Sequence, residues 1–202
     1  AAVFAAALAG PARGLAAWVE PLRNFASAYG MRYTPRPLAC EGDLGNLTCG
    51  VFFRRISAER FAIELGAVIA PLGPFQVAIH PRRPRLKVAA FELAKPTDAP
   101  QPVSPLFGMH HPDFIGLFDM TAVRPRFPDV HMVVPPAITA KMVELHADFD
   151  VEIRHGVLTL RREITNEDPA SLASWIDRAA DGARVVGRSE EHTSELQSPL
   201  NI

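Results

Sequence analysis

Two alternating runs with a very short connection between them constrain this chain more than any other feature. In residues 61–69, Phe61, Ile63, Leu65 and Ala67 alternate with Ala62, Glu64 and Gly66. Residues 47–55, carrying Val51, Phe52 and Phe53, form the run before it. A period of two sends successive side chains to opposite faces of a strand. The connection, Ser57-Ala58-Glu59-Arg60, is far shorter than the dozen or so residues a parallel crossover needs, so the two strands pair as a hairpin. A second hairpin is written at 149–160. Phe149, Val151 and Ile153 alternate, His155-Gly156 turns, and Val157-Leu158-Thr159-Leu160 returns.

Helical periodicity appears in three other places. In residues 15–29, Leu15, Val19, Leu22, Phe25 and Ala26 share one face, and Gly30 is a natural stop. Pro21 fits best in a first turn, which predicts a helix beginning there. Pro135-Pro136 opens a helix over 137–147, with Ile138, Met142, Val143 and Leu145 as its apolar residues. Asp168-Pro169 supplies a cap and first position for a helix over 170–180, with Leu172, Trp175, Ile176 and Ala179 on one face. Shorter strands are predicted at 31–34, 75–79, 86–93, 113–123 and 129–134. Residues 41–46, Glu-Gly-Asp-Leu-Gly-Asn, read as a turn, and the proline-rich stretch 96–112 as an extended loop. Helices do not alternate with strands as βαβ units would. The fold class expected is therefore α+β, a mostly antiparallel sheet backed by helices.

The last fifteen residues stand apart. From Arg188 to Ser198 the chain reads Arg-Ser-Glu-Glu-His-Thr-Ser-Glu-Leu-Gln-Ser, which is the in-frame translation of a widely used sequencing-library adapter. Pro199, Leu200, Asn201 and Ile202 fit the bases that would follow. The expected organisation is an apolar stub at 1–14, one α+β domain at 15–187, and an adapter-derived tail at 188–202 that packs against nothing specific. Setting the tail aside takes Lys+Arg from 21 to 20 and Asp+Glu from 22 to 19, so the charge moves from −1 to +1. A body so close to neutral argues against nucleic acid as a partner.

Several segments resemble a loosely defined group of uncharacterised bacterial proteins that usually carry N-terminal transmembrane helices. They are Leu22-Arg23-Asn24-Phe25-Ala26 running into Gly30-Met31-Arg32-Tyr33, Val77-Ala78-Ile79-His80-Pro81-Arg82, His111-Pro112-Asp113-Phe114, and the hairpin over 150–162 followed by Asp168-Pro169. The likeness covers residues 29–187, with the proline-rich stretch as a departure. It implies no activity and assigns no site residue. It does imply that the uncharged stretch 1–10, shorter than the ~20 residues that span a bilayer, is the remnant of a membrane anchor. A cytoplasmic domain tethered to the membrane is the corresponding localisation.

Chemistry-bearing residues form few patterns. Cys40 and Cys49 flank a turn and read as reduced thiols, with a bridge as the alternative. His80, His110, His111, His131, His146 and His155 include no H-E-x-x-H pair, and no metal or cofactor motif is present. An enzyme would require His110 or His111 to converge with Asp113, Glu41 or Cys49. The one local concentration of charge is His80-Pro81-Arg82-Arg83-Pro84-Arg85-Leu86-Lys87. Arg82, Arg83, Arg85 and Lys87 are the candidate anion-binding residues, suited to phosphate or anionic lipid head groups. The expected function is a non-catalytic binding or interaction domain of a membrane-associated bacterial protein, whose partner is a membrane surface or another protein. Enzymatic activity through a His/Asp or Cys/His site, and lipid or nucleic-acid binding through the basic turn, are the alternatives.

Overall fold

The computed structural model describes residues 15–57, 60–69, 77–84, 101–103, 112–122, 134, 136–164 and 169–188. They form an α+β structure, in which helices pack on an antiparallel sheet. The strands are β1 (Arg32–Pro35), β2 (Leu38–Leu44), β3 (Leu47–Arg55), β4 (Phe61–Val68), β5 (Ala78–Pro81), β6 (Gln101–Val103), β7 (Phe118–Ala122), β8 (Asp150–Arg154) and β9 (Val157–Ile164). Their spatial order is β1-β2-β3-β4-β9-β8-β5-β7-β6, and every pair is antiparallel. The helices are α1 (Ala16–Ala28), the single turn α2 (Phe114–Leu117), α3 (Pro136–His146) and α4 (Leu172–Arg188).

The two hairpins stand as expected. In the β8–β9 hairpin His155 and Gly156 both take positive φ, 52° and 72°. That is the two-residue geometry whose twist matches the flanking strands. The register that follows puts Leu158, Leu160, Ile153 and Val151 on one face with Phe61, Ile63, Leu65 and Ala67 of β4. Helices α1 and α4 cover this face. Trp18 of α1 lies 5.6 Å from Phe53 and 6.0 Å from Trp175 of α4, ring centre to ring centre. Arg162 lays its guanidinium over Trp175 at 4.5 Å, closing the end of the apolar layer with a cation–π contact. Helix α3 lies against α4 and β8. A methyl group at Gly182 would sit 2.6 Å from a terminal methyl of Leu145, so a larger residue there would make the Leu145 side chain shift.

Five expectations are corrected. Helix α1 does not wait for Pro21 but starts at Ala16 with the proline inside it. An internal proline costs a helix about 3 kcal/mol. Here Trp18 is buried before it and Leu22, Phe25 and Ala26 after it, so packing on both sides offsets that cost. Residues 41–44, read as a turn from composition, belong to β2, and the turn is only Gly45-Asn46. The stretch 113–123 opens with α2 before becoming β7. The proline-rich stretch contributes β6, whose Pro102 occupies an edge strand, where a missing N–H is tolerated. Helix α4 runs eight residues beyond its expected end at 180, carrying Ala183 and Val186 into the core. The expected strand at 86–93, the apolar stub at 1–14 and residues 189–202 of the tail lie outside the described residues. No helix among the described residues is long and apolar enough to cross a membrane.

Candidate functional site: a charged ladder on the polar face

The face of the sheet opposite α1 and α4 is defined by Glu64, the one charge inside the apolar β4 run. A carboxylate held at 6 % exposure demands partners, because an isolated buried charge costs several kcal/mol. The register supplies them strand by strand. Arg54 on β3 reaches Glu64 at 3.1 Å through Nε. On the other side, Arg161 Nε of β9 donates to Glu64 Oε2 at 2.7 Å. The same guanidinium donates from Nη1 to Glu152 Oε2 of β8 at 2.8 Å. Glu152 Oε1 then meets His80 Nδ1 of β5 at 3.0 Å. Arg54, Glu64, Arg161, Glu152 and His80 thus follow the spatial order β3-β4-β9-β8-β5, with charge alternating over the four strands from Arg54 to Glu152.

Protonation follows from this arrangement. Burial pushes the Glu152 carboxyl up, but hydrogen bonds from His80 and Arg161, together with the Arg161 charge, overcome it and hold the group at about 2. Burial disfavours the charged Arg161 guanidinium as well, yet the charges and hydrogen bonds of Glu64 and Glu152 raise its affinity for the proton. Both guanidinium edges of Arg161 used here are taken by carboxylates, the strong form of hydrogen bond. The described partners satisfy one another, so the ladder works as a fastener between strands.

The anion-binding candidates divide. Arg82 and Arg83 are exposed at the exit of β5. Arg82 Nε pairs with Asp119 of β7 at 2.8 Å, with both side chains about half exposed. Arg85 and Lys87 lie outside the described residues. So do His110, His111 and His131.

The histidines of the catalytic constellation considered from sequence lie outside the described residues, and its other members, Glu41, Cys49 and Asp113, are placed as follows. Glu41 sits opposite Gly50 and Cys49 opposite Gly42, so Glu41 and Cys49 point to opposite faces of the sheet. Glu41 is engaged by Arg32, and Asp43 accepts a hydrogen bond from Thr48 at 2.6 Å. Asp113 flanks the start of α2. Cys40 and Cys49 are free thiols and fully buried. Their register makes them diagonal neighbours on β2 and β3, a spacing of ~7–8 Å that is too wide for a disulfide. Burial and the neighbouring Cys49 push the Cys40 thiol up to about 12. Burial pushes Cys49 to about 11 despite the nearby Arg184. Neither thiol supplies a nucleophilic thiolate near neutral pH. Burial and the neighbouring Arg154 lower the affinity of His155 for a proton. His146 packs edge-on against Phe118 at 5.1 Å. Among the described residues no cluster of three His, Cys, Asp or Glu side chains is arranged to hold a metal ion.

Sequence reasoning did not anticipate the ladder. Its signal was present, since a lone glutamate between Ile63 and Leu65 must find a partner if the strand is central. Comparison with known proteins adds no relative: no family model, no curated protein and no solved structure matches the chain.

Proposed function

We propose that this chain is a non-catalytic interaction domain of a membrane-associated bacterial protein, and that it engages an anionic membrane surface through the turn that leaves β5. The observation that carries this reading is the contrast between the cations of the polar face and those of the turn. Arg54 and Arg161 are committed to partly buried carboxylates. Arg82 and Arg83 instead project at the surface, where the Arg82–Asp119 pair is solvated. An exposed ion pair is worth only about 0–1 kcal/mol, so Arg82 can exchange Asp119 for a lipid phosphate at little cost. Arg85 and Lys87 follow two and four residues later in the sequence. A basic cluster next to an anionic leaflet gains about 1 kcal/mol per cation, and salt weakens the attraction.

Co-sedimentation with phosphatidylcholine vesicles, with and without phosphatidylserine, tests the reading. The chain is expected to sediment with the anionic vesicles alone, and less as salt rises. The combined substitution Arg82→Ala, Arg83→Ala, Arg85→Ala is expected to abolish sedimentation. Unchanged binding by that variant, or no binding by the native chain, overturns the proposal.

A further inference from the structure

We propose that Asp119 is a built-in competitor of the membrane: its carboxylate occupies Arg82 in the unbound chain and must give way before the turn after β5 takes a lipid phosphate. The inference rests on the membrane reading above and adds the group that regulates it.

Sheet register brings the two side chains together. β5 and β7 pair antiparallel, with His80 opposite Asp119 and Pro81 opposite Phe118. Directly opposed residues share a face, so Asp119 stands beside His80 on the polar face. Arg82 follows at the exit of β5. Its backbone N–H donates to Leu117 O, the last residue of α2, at 2.8 Å. The root of the turn is thereby fixed, and Arg82 Nε reaches Asp119 Oδ1 at 2.8 Å.

Ion pairs on this sheet differ in how firmly they hold. Arg54 and Arg161 meet Glu64, whose side chain is 8 % exposed, and departure of either would weaken the hold on a buried charge. Arg60 grips Glu163 through both Nε and Nη2, the two-point contact that makes such pairs strong. Arg82 gives Asp119 a hydrogen bond from Nε, and the Asp119 side chain is 60 % exposed. Water replaces the guanidinium there at little cost once Arg82 leaves. A lipid phosphate offers two free oxygens to one guanidinium, and so accepts a two-point contact of the kind Arg60 makes. Asp119 therefore sets a threshold. A single dissolved anion competes with it one for one. A surface dense in phosphates engages Arg82 together with Arg83 and the cations that follow them in sequence.

Partitioning of the full chain onto phosphatidylcholine vesicles containing phosphatidylserine, at fixed low salt, reads the competition. Asp119→Asn is expected to raise the partition coefficient about two- to fivefold, the range that an exposed ion pair spans. Asp119→Ser should do the same and serves if the asparagine variant does not fold. Asp177→Asn removes an equal charge from the exposed side of α4, across the sheet from the polar face, and should leave partitioning level. In an Arg82→Gln background the gain from Asp119→Asn should vanish, since no guanidinium remains for the carboxylate to hold. An equal gain in Asp177→Asn, or a full gain retained in the Arg82→Gln background, would assign the effect to net charge and overturn the inference. A native chain that binds the vesicles while Asp119→Asn binds no better overturns the competitor and leaves the membrane reading standing. A native chain that does not bind them overturns both.

Discussion

Strand β4 buries both of its faces, and the two are held by opposite means. Phe61, Ile63, Leu65 and Ala67 meet the apolar layer under α1 and α4. Ala62, Glu64 and Gly66 are no more exposed, but Glu64 is held by Arg54 and Arg161. Equal burial conceals unequal physics. Apolar contact is additive and tolerant, so trimming one side chain loses its own transfer energy plus a cavity term. An ion ladder is all-or-none at each link, because removing one member strands its neighbours as unpaired charges in a poorly hydrated place. The difference teaches that relative exposure alone does not say which positions are fragile.

Adjacent residues of β9 make the sharpest test. Leu160 faces the apolar side at 1 % exposure, and Arg161 faces the ladder. Arg161→Ala is expected to cost about 3–5 kcal/mol, since it removes the one cation shared by Glu64 and Glu152 and leaves Glu64 to Arg54 and Glu152 to His80. Leu160→Ala is expected to cost about 2–5 kcal/mol by cavity formation. What separates them is rescue. Glu64→Leu in the Arg161→Leu background should recover much of the loss, because replacing a buried pair by apolar groups is often neutral. No partner substitution should recover Leu160→Ala so readily. Urea midpoints of the four variants decide the matter, and a double variant no better than Arg161→Ala would mean the ladder is not the cause.

A smaller effect distinguishes the faces by pH. The folded-state value of Glu152, about 2, lies below the ordinary 4.5. A depressed carboxyl contributes stability that is fully present above its ordinary value and lost as pH falls through the folded value. The contribution is on the order of 2 kcal/mol and should disappear between about pH 4.5 and 2. Glu152→Gln removes the titrating group, so the gap in urea stability between native chain and variant should close across that window. The gap for Leu160→Ala should change far less there. A Glu152→Gln gap that stays constant through the window would show that the carboxylate is not held down by the ladder.

The same contrast explains how much could be read from the chain. The apolar face was legible because period-two runs and short turns are local, and the α+β class follows from them. Helix α4 was legible at its start and too short at its end, since beyond 180 Ala183 and Val186 are small or widely spaced signals. Strand β2 was hidden by Gly42 and Asp43, turn-type residues that pairing with β3 overrides. The ladder joins positions 54, 64, 80, 152 and 161, and only sheet order brings them together. No spacing rule spans a separation of nearly one hundred residues. Arg82 and Arg83 were found from local charge density, but the exposed pairing of Arg82 with Asp119 was not, for the same reason.

The smallest expected effect concerns the turn that decides which residue falls on which face. Because side chains alternate, a one-residue slip in the β8–β9 hairpin would send Arg161 into the apolar layer and Leu160 to the ladder. The turn His155-Gly156 prevents this, yet His155 holds φ at 52°, a conformation costly for most side chains. Asparagine accepts it more readily, and Asn-Gly is the preferred pair for such a turn. His155→Asn should therefore stabilise the chain by a few tenths of a kcal/mol, on the order of the left-handed preference that separates the two residues. His155→Val, β-branched and poorly suited to positive φ, should destabilise it by about 1–2 kcal/mol. Urea midpoints would show both signs. Equal stability of the asparagine and valine variants would mean that register is set by the two faces themselves, with the ladder and the apolar layer each rejecting the other's residues.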